Sequence, residues 1–285
     1  YTAAAGSLGS RRLWPGAVAL LSELLERGFL PHASQVVTLG AVMGACSKGR
    51  QWRRALQMLE EMPMRAAEPN VIICNVLMGS CSERWVLALT LMSVMEGHRV
   101  LPDTVTLNTA ITACERSGCW HWALWLFVQM QVYGPLPDVI TFNAAISACA
   151  KGQQWQGALE LVKAVWRCPG LVPDVITYNA AIGACKQSGS WPKALHLTSE
   201  MRCADLAPDS GTYSAAVSTC SRGRRWVEAL LLLSHAVGSR GMLRATVWNA
   251  AASACERGGP WDQTCLLLAA MWRCGPEPGA ATYSA

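Results

Sequence analysis

The chain has 285 residues, 52% of them hydrophobic and 15% charged, with a formal net charge of +5. Charge is sparser than the roughly one quarter usual in soluble domains, and the abundant apolar surface excludes a disordered chain; 14 prolines and 24 glycines are too few for a linker or collagen-like sequence. The longest apolar run, Trp85 to Met95, contains Thr90 and Ser93 and falls short of the roughly 18 residues a membrane-spanning helix needs, so no membrane partner is expected. The mild positive charge permits a polyanionic partner without requiring one. Beginning at Tyr1 rather than methionine, the chain reads as a segment of a longer protein, with any targeting peptide expected outside it.

Seven cysteines, Cys46, Cys81, Cys114, Cys149, Cys185, Cys220 and Cys255, follow one another at intervals of 35, 33, 35, 36, 35 and 35 residues. So regular a period marks an array of repeats. In chain order, a partial unit (1–35) precedes full units at 36–70, 71–103, 104–138, 139–174, 175–209, 210–244 and 245–279, and a stub covers 280–285. Tryptophan keeps the same register from Trp14 through Trp52, Trp85, Trp120, Trp155, Trp191 and Trp226 to Trp261. From Trp52 to Trp226 an Ala-Leu pair follows three residues on, as in Ala158-Leu159.

Each unit predicts two helices. In the clearest one, Asp138 is placed to cap a first helix over about 139–150, and Lys151-Gly152 ends it with a basic residue and a glycine cap. A second helix starts near Trp155 and stops before Cys168-Pro169-Gly170. Val139, Phe142, Ile146 and Cys149 form the apolar face of the first helix. A single hairpin cannot bury that face, so stacking must. The expected fold is all-α, a right-handed α-solenoid of helix-turn-helix repeats with one continuous core over residues 1–285. The periodic cysteines then serve as reduced packing residues and the periodic tryptophans as inter-helix packing. Uncapped ends make self-association an expected property.

A second stripe on the first helices is not explained by packing. Ile140, Asn143, Ser147 and Lys151 lie about 120° round from the apolar face. Asparagine is a mediocre helix former, yet Asn75, Asn108, Asn143, Asn179 and Asn249 all recur at the fifth position of their units. A neutral amide offers both donor and acceptor to a base edge, a branched aliphatic one turn earlier offers an apolar surface to a base face, and a basic residue at the helix end can meet phosphate. The basic candidates are Lys48, Arg116, Lys151, Arg222 and Arg257.

The pattern PDVITYNAAIGAC at residues 173–185, followed by Trp191 and Ala194-Leu195 at a 35-residue period, resembles the pentatricopeptide repeat. That resemblance covers essentially the whole chain and implies single-stranded RNA binding, one nucleotide per repeat. It assigns base recognition to the fifth residue of a repeat together with the last residue before the next. Here these are Asn75 with Asp103, Asn108 with Asp138, Asn143 with Asp174, Asn179 with Asp209, and, with altered partners, Ser214 and Asn249. It assigns base sandwiching to the second residue, here Val37, Ile72, Val105, Ile140 and Ile176. Asparagine followed by aspartate implies uridine, so a uridine-rich target is expected. Gly40, Gly211, Arg244 and Gly279 depart from the pattern, and the unit at Val71, two residues short, is expected to shift Asn75.

The resemblance also implies a chloroplast or mitochondrion, with nucleus or cytoplasm as alternatives. The implied role is an adaptor in organellar RNA processing, stability, splicing, editing or translation. Alternatives are a protein-interaction helical-repeat scaffold, or the RNA-binding part of a longer RNA-processing enzyme. No catalytic residue, cofactor or metal is expected. The chain carries no P-loop glycine motif and no Gly-x-Ser-x-Gly elbow, and Cys114, Cys119 and His121 only loosely imitate metal ligands.

Overall fold

The structure, a computed structural model, describes residues 15–16, 18–19, 23, 32–48, 51–62, 69–80, 84–238, 244–279 and 282. Every regular element among them is a helix. In chain order these are α1 (His32–Lys48), α2 (Trp52–Glu61), α3 (Val71–Ser80), α4 (Trp85–Gly97), α5 (Thr104–Arg116), α6 (Trp120–Tyr133), α7 (Val139–Lys151), α8 (Trp155–Arg167), α9 (Val175–Ser188), α10 (Trp191–Cys203), α11 (Ser210–Arg222), α12 (Trp226–Gly238), α13 (Ala245–Gly258) and α14 (Trp261–Cys274). Odd-numbered helices are the expected first helices and even-numbered ones the second. None is long and apolar enough to cross a membrane.

The chain forms two compact units, Tyr1–Ala144 and Ala145–Ala285, divided within α7. In the first, α1 packs on α2 and α3, α3 packs on α4 and α5, and α5 pairs with α6. In the second, α9 packs on α10 and α11, α11 on α12 and α13, and α13 on α14. Second helices also lean on the next first helix, as α8 does on α9 and α12 on α13. Within each unit, hairpins thus bury their apolar faces against the next, the arrangement required of repeats that cannot fold alone.

The first helices begin where their sequence says they should. Asp103, Asp174 and Asp209 are extended N-cap residues whose carboxylates accept the backbone N–H three residues on, at 2.8, 2.8 and 2.7 Å. Their ends are set by the residue that turns left-handed, and here the expectation needs correcting. Gly152 is not that residue; Gln153 is, at φ 60°, as are Gly118, Gly189 and Arg224 in the same register at 73°, 66° and 55°. The next N–H then returns to the carbonyl of the periodic cysteine, at 2.9 Å for Cys119 to Cys114 and 2.8 Å for Gln154 to Cys149.

The cysteines behave as expected. Cys46, Cys114, Cys149, Cys185, Cys220 and Cys255 are buried and free, while Cys81 lies outside the described residues. Burial pushes the thiols up, to about 11 at Cys149 and about 12 at Cys220, so they stay protonated at neutral pH. Phe142, Ile146 and Cys149 are fully buried, and Ala145 and Ala148 join them, so small residues are part of the core face. The tryptophans differ from a core position: Trp52, Trp85, Trp120, Trp155, Trp191 and Trp226 are half-buried and Trp261 is exposed, while Trp14 lies outside the described residues. They do pack between hairpins, beneath cations from the next one, with Arg84 5.0 Å from the Trp52 ring, Lys193 3.6 Å from Trp155 and Arg225 4.6 Å from Trp191.

Candidate functional site

The fifth residues of successive first helices meet the cap of the following repeat. The Asn75 amide Nδ2 donates to both carboxylate oxygens of Asp103 at 3.1 Å, while its carbonyl oxygen accepts the Thr106 hydroxyl at 2.5 Å. Asn108 repeats this with Asp138, at 3.1 and 3.3 Å, and with Thr141, at 2.5 Å. Asn179 repeats it again with Asp209, at 3.3 Å, and with Thr212, at 2.5 Å. In the unit at Val71, two residues short, Asn75 has the same partners as its longer neighbours. Asn143 sits half-buried at the equivalent point of α7, and Asp174 caps α9 through Thr177 by the same reciprocal box.

The threonines are the residues sequence reasoning missed. Thr106, Thr141 and Thr212 are fully buried, and each hydroxyl also accepts the N–H of its own capping aspartate, at 3.3, 3.1 and 3.2 Å. Partial burial on its own would raise the carboxyls of Asp103, Asp138 and Asp209. The hydrogen bonds from threonine N–H and hydroxyl and from the asparagine amide outweigh it, and all three lie below the ordinary carboxylate value. Each carboxylate is therefore ionised at neutral pH and fixes the amide with its NH2 end inward.

Beside each amide stands an apolar side chain that the fold does not bury. Val37, Ile72, Val105, Ile140 and Ile176 are 58–72% exposed, although the third residue of the same helix is buried in each case (Thr38, Ile73, Thr106, Thr141 and Thr177). Arg116, Lys151, Arg222 and Arg257 occupy the last turns of α5, α7, α11 and α13 and are exposed. Lys48 ends α1, and its side chain lies outside the described set.

Three joints are built differently. At the first, Gly40 faces Ile73, whose Cγ1 would lie 3.1 Å from a Cβ placed on that glycine. Asn70 there caps α3 by accepting the Ile73 N–H at 2.9 Å. At the sixth, Ser214 is followed by Arg244, which caps α13 without a side-chain bond, and by the buried aliphatic Val247. Asn249 keeps its threonine, Thr282, at 2.8 Å, but Gly279 replaces the aspartate. No group of three histidine, cysteine or acidic side chains that could hold a metal occurs among the described residues.

Residues 102–151 and 173–222 match the PPR repeat family, and residues 37–65 and 140–168 match the PPR repeat. The chain belongs to the pentatricopeptide repeat family. Among pentatricopeptide relatives, the chloroplastic pentatricopeptide repeat-containing protein 10 of Zea mays is 30% identical over 100 residues, 33% of this chain and 13% of that protein. The crystal structure of PPR10 from maize is similar at a TM-score of 0.66 and 21% identity, over 99% of this chain and 45% of that one. PPR10 in complex with an 18-nt psaJ RNA element matches at 0.50 and 24%, over 98% and 44%. The PPR domain of Arabidopsis thaliana protein-only RNase P 1, in complex with tRNA, matches at 0.53 and 16%, over 62% and 94%. The chain spans less than half the length of the maize relatives. At these identities the likeness establishes the fold, an all-α pentatricopeptide repeat array.

Proposed function

We propose that this chain is a single-stranded RNA-binding adaptor, organised as one array in which each repeat addresses one base. The observation that carries the reading is the recurrence, at Asn75, Asn108 and Asn179, of an identically anchored amide next to an exposed branched aliphatic. Water-exposed isoleucine and valine gain nothing in the free chain, but they supply a surface on which a base face can rest. The amide beside each supplies an edge contact, and the basic residues at the helix ends supply the sequence-independent attraction to phosphate. The RNA-bound maize and Arabidopsis structures support the ligand class.

The four consecutive Asn-Asp pairs are assigned to pyrimidines, uridine preferred, with the first repeat toward the 5′ end of the RNA. The part played is binding rather than catalysis, holding one RNA segment so that it is protected or its neighbours exposed. A chloroplast is the compartment its maize relative supports. The test is a comparison of U-rich and A-rich oligomers of equal length at matched salt. The U-rich one is expected to bind more tightly, each wrong base in the four-nucleotide core costing about 1 kcal/mol or more on the scale of mismatches at DNA sites. Equal binding refutes the assignment.

A further inference from the structure

The third residue of a repeat is a helix-capping residue, yet from the second full unit on its identity follows the preceding repeat. Where the fifth position is asparagine (Asn75, Asn108, Asn143, Asn179, Asn249), the third position of the following repeat is threonine (Thr106, Thr141, Thr177, Thr212, Thr282). Where it is Gly40 or Ser214, the following third residue is Ile73 or Val247. Capping alone does not require this: Asn70 caps α3 with Ile73 at that place.

The hydrogen-bond arithmetic supplies the reason. Thr106 Oγ1 accepts the Asp103 N–H at 3.3 Å and has a single proton to give. Two acceptors lie within reach of that proton: the Asn75 carbonyl oxygen at 2.5 Å, and Asp103 Oδ1 at 2.8 Å, which already accepts the Thr106 N–H at 2.8 Å and the Asn75 amide at 3.1 Å; the hydroxyl thus bridges the two, with the shorter contact to Asn75. The amide is thereby held at both ends: its nitrogen by the carboxylate and its oxygen by the hydroxyl. Rotation about the last side-chain bond is stopped, and the amide keeps one orientation.

We infer that the threonine at the third position of a repeat is a specificity-setting positioning residue for the base read by the preceding repeat. It locks the amide in one orientation, nitrogen toward the carboxylate and oxygen toward the hydroxyl, so that only a base edge of matching donors and acceptors, such as that of a pyrimidine, is met. Recognition at one nucleotide is thus divided between two repeats. This inference rests on the RNA-binding reading above.

The experiment measures affinity for a U-rich oligomer and for single U→A substitutions along it. Thr106→Val is expected to flatten the preference at one nucleotide, from about fivefold or more to within about twofold. That nucleotide is the one flattened by Asn75→Ala, not the one flattened by Asn108→Ala. Thr212→Val is expected to do the same three nucleotides away, and Thr106→Ser, which keeps the hydroxyl, to retain the preference. An aliphatic is tolerated at this position, as Ile73 and Val247 show. A uniform loss at all nucleotides, or flattening at the Asn108 position, overturns the inference while leaving RNA binding intact. Absence of any base preference in the unaltered chain overturns the RNA-binding reading first and this inference with it.

Discussion

A buried hydroxyl that loses its partner costs about 1–3 kcal/mol, so Thr106, Thr141 and Thr212 tie the cap of one repeat to the amide of the one before. The carboxylates in these clusters make the arrangement sensitive to acid. Asp103, Asp138 and Asp209 lie below the ordinary value of 3.8, so their contribution to stability is complete above that pH and is lost as pH falls through the lower folded-state values. Thermal unfolding followed from pH 5 to pH 2 should show the melting temperature falling below about pH 4, and Asp138→Asn should flatten that fall, since an amide still caps but does not titrate. A second residue-scale outcome concerns Gln153 and Arg224, which hold the left-handed turn that Gly118 and Gly189 hold elsewhere. A side chain in that conformation costs about 1–2 kcal/mol, partly offset by the greater unfolded-state freedom of glycine. Gln153→Gly, at an exposed position, should therefore raise stability by about 0.5 kcal/mol in a denaturant titration. The asparagine stripe and the aspartate caps were legible from spacing and residue type. The threonines were not, because a β-branched hydroxyl at the third helical position looks like ordinary filler until the preceding repeat is laid beside it.

At the scale of the element, helix positions followed directly from the sequence, because Pro-Asp starts, Lys/Arg-Gly ends and the 35-residue register all agree. The tryptophans were harder. A tryptophan before Ala-Leu reads as inter-helix packing without saying which helix it meets; what is fully buried in the second helices is the alanine with the residues that follow it, as at Ala158, Leu161, Val162 and Val165. The ring instead lies across the end of the next first helix. A Cβ on Gly223 would come within 2.6 Å of Trp191 Cδ1, and one on Gly259 within 3.2 Å of Trp226 Cγ. Those glycines, which sequence reads simply as helix ends, make room for the preceding hairpin's indole. Gly223→Ala forces Trp191 to move and should cost about 1–3 kcal/mol, visible as a lower melting temperature. Gly238→Ala, where an added Cβ meets nothing within 4 Å, is the matching control and should change little.

At the scale of the whole molecule, a net charge of +5 over 285 residues is a weak general field, so attraction to a polyanion depends on where the cations sit. Arg116, Lys151, Arg222 and Arg257 recur at one point of the repeat, the last turn of the first helix, two residues beyond the buried cysteine. Their positive charge also suits the helix C-terminus, a role worth a few tenths of a kcal/mol whether or not RNA is present. Salt separates the two roles. A cation that neutralises a phosphate on a single strand adds about −0.7 to the slope of log affinity against log salt, whereas a cation serving only its own helix adds nothing to that slope. Arg116→Ala and Arg257→Ala, measured with one U-rich oligomer between low and physiological salt, should each make the slope shallower by about 0.7. Base preference should stay as in the unaltered chain, because phosphate contacts fix position without reading sequence. Unchanged slopes with a lower melting temperature would instead assign these arginines to the helix ends alone, and would leave the amides and exposed aliphatics as the principal source of RNA affinity.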